Sequence, residues 1–78
     1  MSIPLYSAVR LTTGTIRGDV DRMGNDALYP DWAPVAGTVG YVIEEWEPGV
    51  YEVEVSDPSN GFTIVLLTVD ESQIEPVE

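Results

Sequence analysis

The chain has 78 residues, 44% of them hydrophobic, with three Arg, no Lys, fourteen Asp or Glu and a formal net charge of −11. That length makes a single domain, 1–78, near the lower limit at which one core suffices without covalent or metal staples. Neither Cys nor His occurs, which excludes disulfides, thiolate or imidazole metal sites and the common nucleophilic triads, and the missing Lys removes Schiff-base and P-loop chemistry.

The charge is unevenly placed. The first 37 residues set Arg10, Arg17 and Arg22 against Asp19, Asp21, Asp26 and Asp31, whereas everything from Thr38 onward carries ten carboxylates and no cation. A field this one-sided repels nucleic acid and anionic membranes and attracts basic surfaces. With a mean hydropathy of +0.01, the chain is too apolar for a disordered acidic tail. Its longest apolar stretch, around Ile64 to Leu67, is far shorter than a membrane span. The first residues lack a basic region followed by an apolar one, so no signal peptide is expected and the compartment expected is the cytoplasm.

In chain order, residues 7–12 read as a first strand. Residues 13–37 hold four Gly and two Pro with no sustained period, which predicts a long loop, with one helical turn around Asp26 to Tyr29. Within it Asp19, Asp21, Gly24 and Asp26 are similar to the opening of a calcium loop, but Met23 at the fifth position and Pro30 at the twelfth break the pattern. No metal or cofactor is expected.

Residues 39–46 predict a second strand and 50–55 a third, with Glu47, Pro48 and Gly49 reversing the chain between them. L-proline does not take the positive φ of a primed two-residue turn, so a four-residue loop from Glu47 to Val50 is expected. That register sets Trp46 opposite Tyr51, Glu45 opposite Glu52 and Val42 opposite Val55. From Tyr51 to Val55 apolar and acidic residues alternate, giving an inner side of Tyr51, Val53 and Val55 and a wet side of Glu52 and Glu54. The same register puts Glu44 on the inner side with Val42 and Trp46, a conflict that a bulge near Glu44 or a place at the rim of the core would resolve.

The turn over 57–61 ends in Asn60 and Gly61, which suit positive φ. The strand that follows, 62–69, is apolar on both faces, so a cover for the face of Val65 and Leu67 is expected from the long loop or from another molecule. Asp70 reads as the cap of a single helical turn to Gln73, and 74–77 as a closing strand. Five short strands with one long loop after the first indicate an all-β, small, partly open barrel.

Residues 5–11, the stretch from Gly37 to Trp46, the run from Gly49 to Val55, Leu66 to Thr68 and Gln73 to Val77 together resemble a family of small bacterial SH3-like barrel domains of unknown function. The resemblance covers 5–12 and 33–77; residues 13–32 depart from the family's shorter, more acidic loop. It implies a five-stranded SH3-like barrel and, because some members are encoded beside toxin-like genes, a link to toxins. Gly37 and Gly40 before a strand also resemble KOW-type and translation-associated barrels, whose nucleic-acid binding needs basic loops that this chain lacks.

A carboxylate pair among Glu44, Glu45, Glu52 and Glu54 is the one catalytic device left, and a domain this small leaves little room for the cleft such chemistry needs. The chain is therefore read as no enzyme. The acidic hairpin is the candidate site. Glu45, Glu52 and Glu54 share the outward face on the expected register, with Glu47 at the turn, and Trp32, partly exposed, or the Val65 and Leu67 face supplies an apolar anchor. The expected function is an acidic binding module of antitoxin or immunity type that occludes a basic partner such as a nuclease toxin. The alternative is a structural or assembly module, including a homodimer, in which the strand over 62–69 makes the contact. Solubility and protection of sheet edges would explain the carboxylates without any partner.

Overall fold

A computed structural model describes residues 3–14, 16, 18, 20–21 and 32–77. Six strands form one antiparallel sheet: β1 (Ala8–Leu11), β2 (Val20–Asp21), β3 (Val39–Glu47), β4 (Val50–Ser56), β5 (Thr63–Asp70) and β6 (Ile74–Pro76). Their spatial order is β2-β5-β4-β3-β1-β6. A 3-10 turn, Glu71–Gln73, leads into β6, and no α-helix occurs among the described residues. No described helix is long and apolar enough to cross a membrane.

The five expected strands are present, and β2 is a sixth within the stretch expected to be loop. It pairs Val20 with Leu67 and Asp21 with Leu66 on β5. The helical turn expected at Asp26 to Tyr29 lies outside the described residues, as do Arg17, Arg22, Asp19 and Asp31.

Strand alternation builds the core. On β1, Val9 and Leu11 point inward and Arg10 outward; on β4, Tyr51, Val53 and Val55 are buried. Val42 on β3 and Val65, Leu67 and Val69 on β5 complete the centre. Tyr51 is fully enclosed, and its hydroxyl accepts the N–H of Ile3 at 3.0 Å, which ties the N-terminal segment to the middle of the sheet. Burying each such side chain contributes about 1.5–3 kcal/mol.

The β3–β4 turn differs from expectation. Glu47 pairs directly with Val50, so the loop is the two residues Pro48 and Gly49. Gly49 has φ +83°, and a Pro-Gly pair suits a type II turn, which demands positive φ only of its second central residue. Such a turn splays the strands relative to their natural twist. Next to the turn, Trp46 is an extra residue between the Glu45–Tyr51 and Glu47–Val50 pairs, a bulge of the kind that changes local strand twist. A second extra residue, Ile43, stands between Val42 (opposite Val53) and Glu44 (opposite Glu52). The bulge expected near Glu44 is therefore present, and Glu44 faces outward, exposed.

Two glycines make the entry to β3 possible. Gly37 turns the chain with φ +93°, a conformation that costs other residues about 1–2 kcal/mol. At Gly40 a Cβ would lie 2.6 Å from the Glu54 carbonyl oxygen and 2.6 Å from Val53 Cγ1, so β3 can press against β4 only without a side chain there.

At the far end of β4, the Asp57 carboxylate accepts from the Ser59 N–H and hydroxyl, while Gly61 takes φ +77°. The 3-10 turn begins at Asp70 as N-cap. Gln73 is buried and accepts the Asp70 N–H at 2.9 Å, and the Glu71 N–H donates to the Gly49 carbonyl, joining this turn to the β3–β4 turn.

Candidate functional site

Alternation along β4 sends Glu52 and Glu54 to the side opposite the core. Residues paired across antiparallel strands share a face. Glu44 therefore joins Glu52, and Tyr41 joins Glu54, from β3; Thr68 and Leu66 join them from β5. Asp21 of β2 lies opposite Leu66 and so extends the same face. The result is a set of four carboxylates, Asp21, Glu44, Glu52 and Glu54, with Tyr41 beside them and Glu47 at the end of the hairpin.

Glu45, expected in this set, is opposite Tyr51 and so on the other side of the sheet. The reason is the Trp46 bulge, which shifts the register by one residue between Glu47 and Glu45 and so sets Glu44, not Glu45, opposite Glu52; the Ile43 bulge then returns Val42 to the core side opposite Val53. Asp21 was missed because its neighbours on the face come from strands far along the chain.

The electrostatics follow from this geometry. Partial burial of the Glu52 carboxyl raises its pKa above the ordinary glutamate value, and the negative charges of Asp21 and then Glu44 raise it further. Glu54 Oε2 accepts the Thr63 hydroxyl at 3.0 Å. An ion pair lies away from this face: Arg10 Nε to Glu75 Oε1 at 2.9 Å, joining β1 to β6. Among the described residues no three carboxylates are grouped so as to hold a metal ion.

Apolar anchors are arranged differently from expectation. Val65 and Leu67 are 1% and 0% exposed, so they belong to the core and are not available to a partner. Their face is the one that packs with Val53 and Tyr51; the opposite face of β5 is half-covered at Leu66, and Ile64, the extra residue at the register shift between Val55 and Ser56, is buried. Trp32 is half-buried against the core. It forms one wall of an open groove of about 490 Å³, with Val39, Tyr41, Val55, Pro58 and Ile64 among the other lining residues. Tyr41 thus belongs both to this groove and to the acidic face. Among the described residues no carboxylate lines the groove. Trp46 and Phe62 are 60% and 59% exposed and lie outside it.

Fold and face together define an acidic all-β domain built on one open antiparallel sheet, with carboxylates gathered on its outer side. The chain belongs to the DUF4926 family, a domain of unknown function, which matches residues 29–76. That span contains β3 to β6, the groove and all the acidic face except Asp21. No curated protein and no solved structure matches the chain.

Proposed function

We propose that this domain is a non-enzymatic binding module, an SH3-like partly open barrel that docks a basic protein on its acidic outer face. In its specific form it is an antitoxin or immunity-type inhibitor. The carboxylates of Asp21, Glu44, Glu52 and Glu54 occupy a cationic groove of the partner, such as that of a nuclease toxin, where substrate phosphates otherwise sit. The wiring supports the SH3-like reading: β1 pairs with both β3 and the last strand, a long connection follows β1, and a 3-10 turn precedes β6. The resemblance to domains encoded beside toxin-like genes supports the inhibitor reading.

One observation carries the proposal. Glu44 and Glu52 are directly opposed across a central strand pair, and neither has an ion-pair partner among the described residues. Like charges so placed cost on the order of 0.2–1 kcal/mol in the free domain, a cost recovered when Lys or Arg side chains arrive. Association is then fast and weakens with salt.

The test compares the wild-type domain with the double variant Glu44→Lys, Glu52→Lys as baits in affinity capture from the native host. The expected result is a basic protein retained by the wild type, released by salt and lost by a variant that still melts cooperatively. Equal retention by the variant removes the mechanism.

A further inference from the structure

We propose that the groove beside Trp32 is an anchor pocket for a partner segment in which one bulky apolar side chain is flanked by Lys or Arg. This deepens the reading of the acidic face and rests on it. The groove is apolar and open, and at about 490 Å³ it has room for one or two large side chains. Tyr41, half exposed, is one wall, and its cross-strand neighbour is Glu54. At the other side Ser56 and Pro58 line the groove, with Asp57 between them in the chain. The lining is thus bordered by two residues that carry carboxylates, Glu54 across from Tyr41 and Asp57 between Ser56 and Pro58, and the partner residues that flank the inserted side chain come to rest toward them.

Charge complementarity selects the occupant. A neutral or acidic apolar segment meets the field of a chain with net charge −11, whereas a basic one gains on approach. A second copy of this chain is the wrong ligand. It brings the same net charge of −11 to the groove, and its exposed Trp46, between Glu45 and Glu47, would carry carboxylates toward Glu54 and Asp57, while its exposed Phe62 has no cation beside it. The aromatic wall adds a second attraction, since a cation beside the face of Tyr41 is favoured by the ring.

Three capped pentapeptides test this by heteronuclear NMR titration of the full chain: phenylalanine flanked by two lysines on each side, the same peptide with glycine at its centre, and the phenylalanine peptide with glutamates replacing lysines. The expected result is saturable movement of the Trp32 indole and the Gly40 and Ile64 amides with the lysine–phenylalanine peptide. It binds about tenfold tighter than the glycine peptide, as truncation of a buried aromatic anchor implies, and the glutamate peptide does not bind. Tyr41→Ala weakens it by a similar factor while Trp46→Ala, outside the groove, does not; Val39→Ser repeats the test should Tyr41→Ala fail to fold. Equal binding of the glycine peptide overturns the pocket and leaves the acidic face as the docking surface. Equal binding of the glutamate peptide overturns both the pocket's basic ligand and the electrostatic reading. Absence of binding by all three overturns the pocket.

Discussion

Replacing Glu52 by Gln removes a charge at the centre of the acidic face while keeping the size of the side chain. Glu52 is opposed by Glu44 across the β3–β4 pair and is close enough to Asp21 for that charge to raise its pKa. Directly opposed Cβ atoms in such a pair are about 5 Å apart, and two unit charges at that spacing repel by about 0.8 kcal/mol even in bulk water. Allowing for side chains that splay apart, Glu52→Gln stabilises the domain by about 0.5–1 kcal/mol at low salt. For a domain of this size that raises the melting midpoint by roughly 2–8 °C. Urea unfolding at about 20 mM and about 500 mM NaCl measures it, since screening at the higher salt shortens the reach of the repulsion to a few ångströms. The gap between wild type and variant therefore narrows with salt. In a double-mutant cycle with Glu44→Gln, the combined gain is smaller than the two single gains added, because the shared repulsion is removed once. A variant less stable than wild type at low salt, or a gap that ignores salt, refutes the reasoning.

The raised pKa of Glu52 means that the folded state holds more protons than the unfolded chain between the ordinary glutamate pKa and the raised one. Unfolding free energy therefore falls as pH rises through that window, and acidifying from neutral toward the ordinary glutamate range stabilises the wild type relative to Glu52→Gln; a parallel pair of stability–pH curves contradicts this. Gly40→Ala places its Cβ 2.6 Å from the Glu54 carbonyl oxygen, a backbone atom that cannot step aside, and is expected to cost about 1–3 kcal/mol by chemical denaturation. Unchanged stability would mean that β3 and β4 are not so close. Tyr51→Phe removes the acceptor of the Ile3 N–H and is expected to cost about 1 kcal/mol, with hydrogen exchange at Ile3 accelerating more than at the centre of β4; equal acceleration at both would contradict a local tie.

Much of the sheet was legible because its residues repeat at the period of a strand. Tyr51 to Val55 alternates without interruption, and its faces are as expected. The 57–61 turn was legible from its Asn60–Gly61 ending, of which Gly61 takes the positive φ, and the start of the 3-10 turn from Asp70 as its cap. The register of β3 was not legible, for a specific reason. Along Val42, Ile43, Glu44 and Glu45, period two signals one extra residue, but nothing local signals the second, at Trp46, and that one decides whether Glu44 or Glu45 is opposite Glu52. The two-residue turn was missed because the positive φ required by primed turns was applied to Pro48, whereas the turn needs it only at Gly49. On β5 the apolar residues fill both faces, so nothing local says that Val65 and Leu67 face the core while Leu66 is only half-covered. Two-residue β2 has no period at all. Its nearest local sign is Gly18, where a Cβ would fall 2.0 Å from the Thr68 carbonyl oxygen, a constraint visible only once β5 is beside it.

The position of the charges within the sheet separates two explanations that the sequence left level. Carboxylates that protect a sheet from edge-to-edge pairing belong on its edge strands, here β2 and β6. Glu52 and Glu54 are on β4 and Glu44 on β3, both internal in the order β2-β5-β4-β3-β1-β6, where there is no free edge to guard. Carboxylates placed for solubility alone do best when spread apart, yet Glu44 and Glu52 are opposed and Asp21 reaches the same face from the far side of β5. The two explanations therefore part on a single pair of measurements. If Glu52→Gln raises stability and slows association with a basic partner, the repulsion is retained for docking. If it raises stability and leaves association unchanged, the charge serves the free domain only, and the docking proposal fails with it.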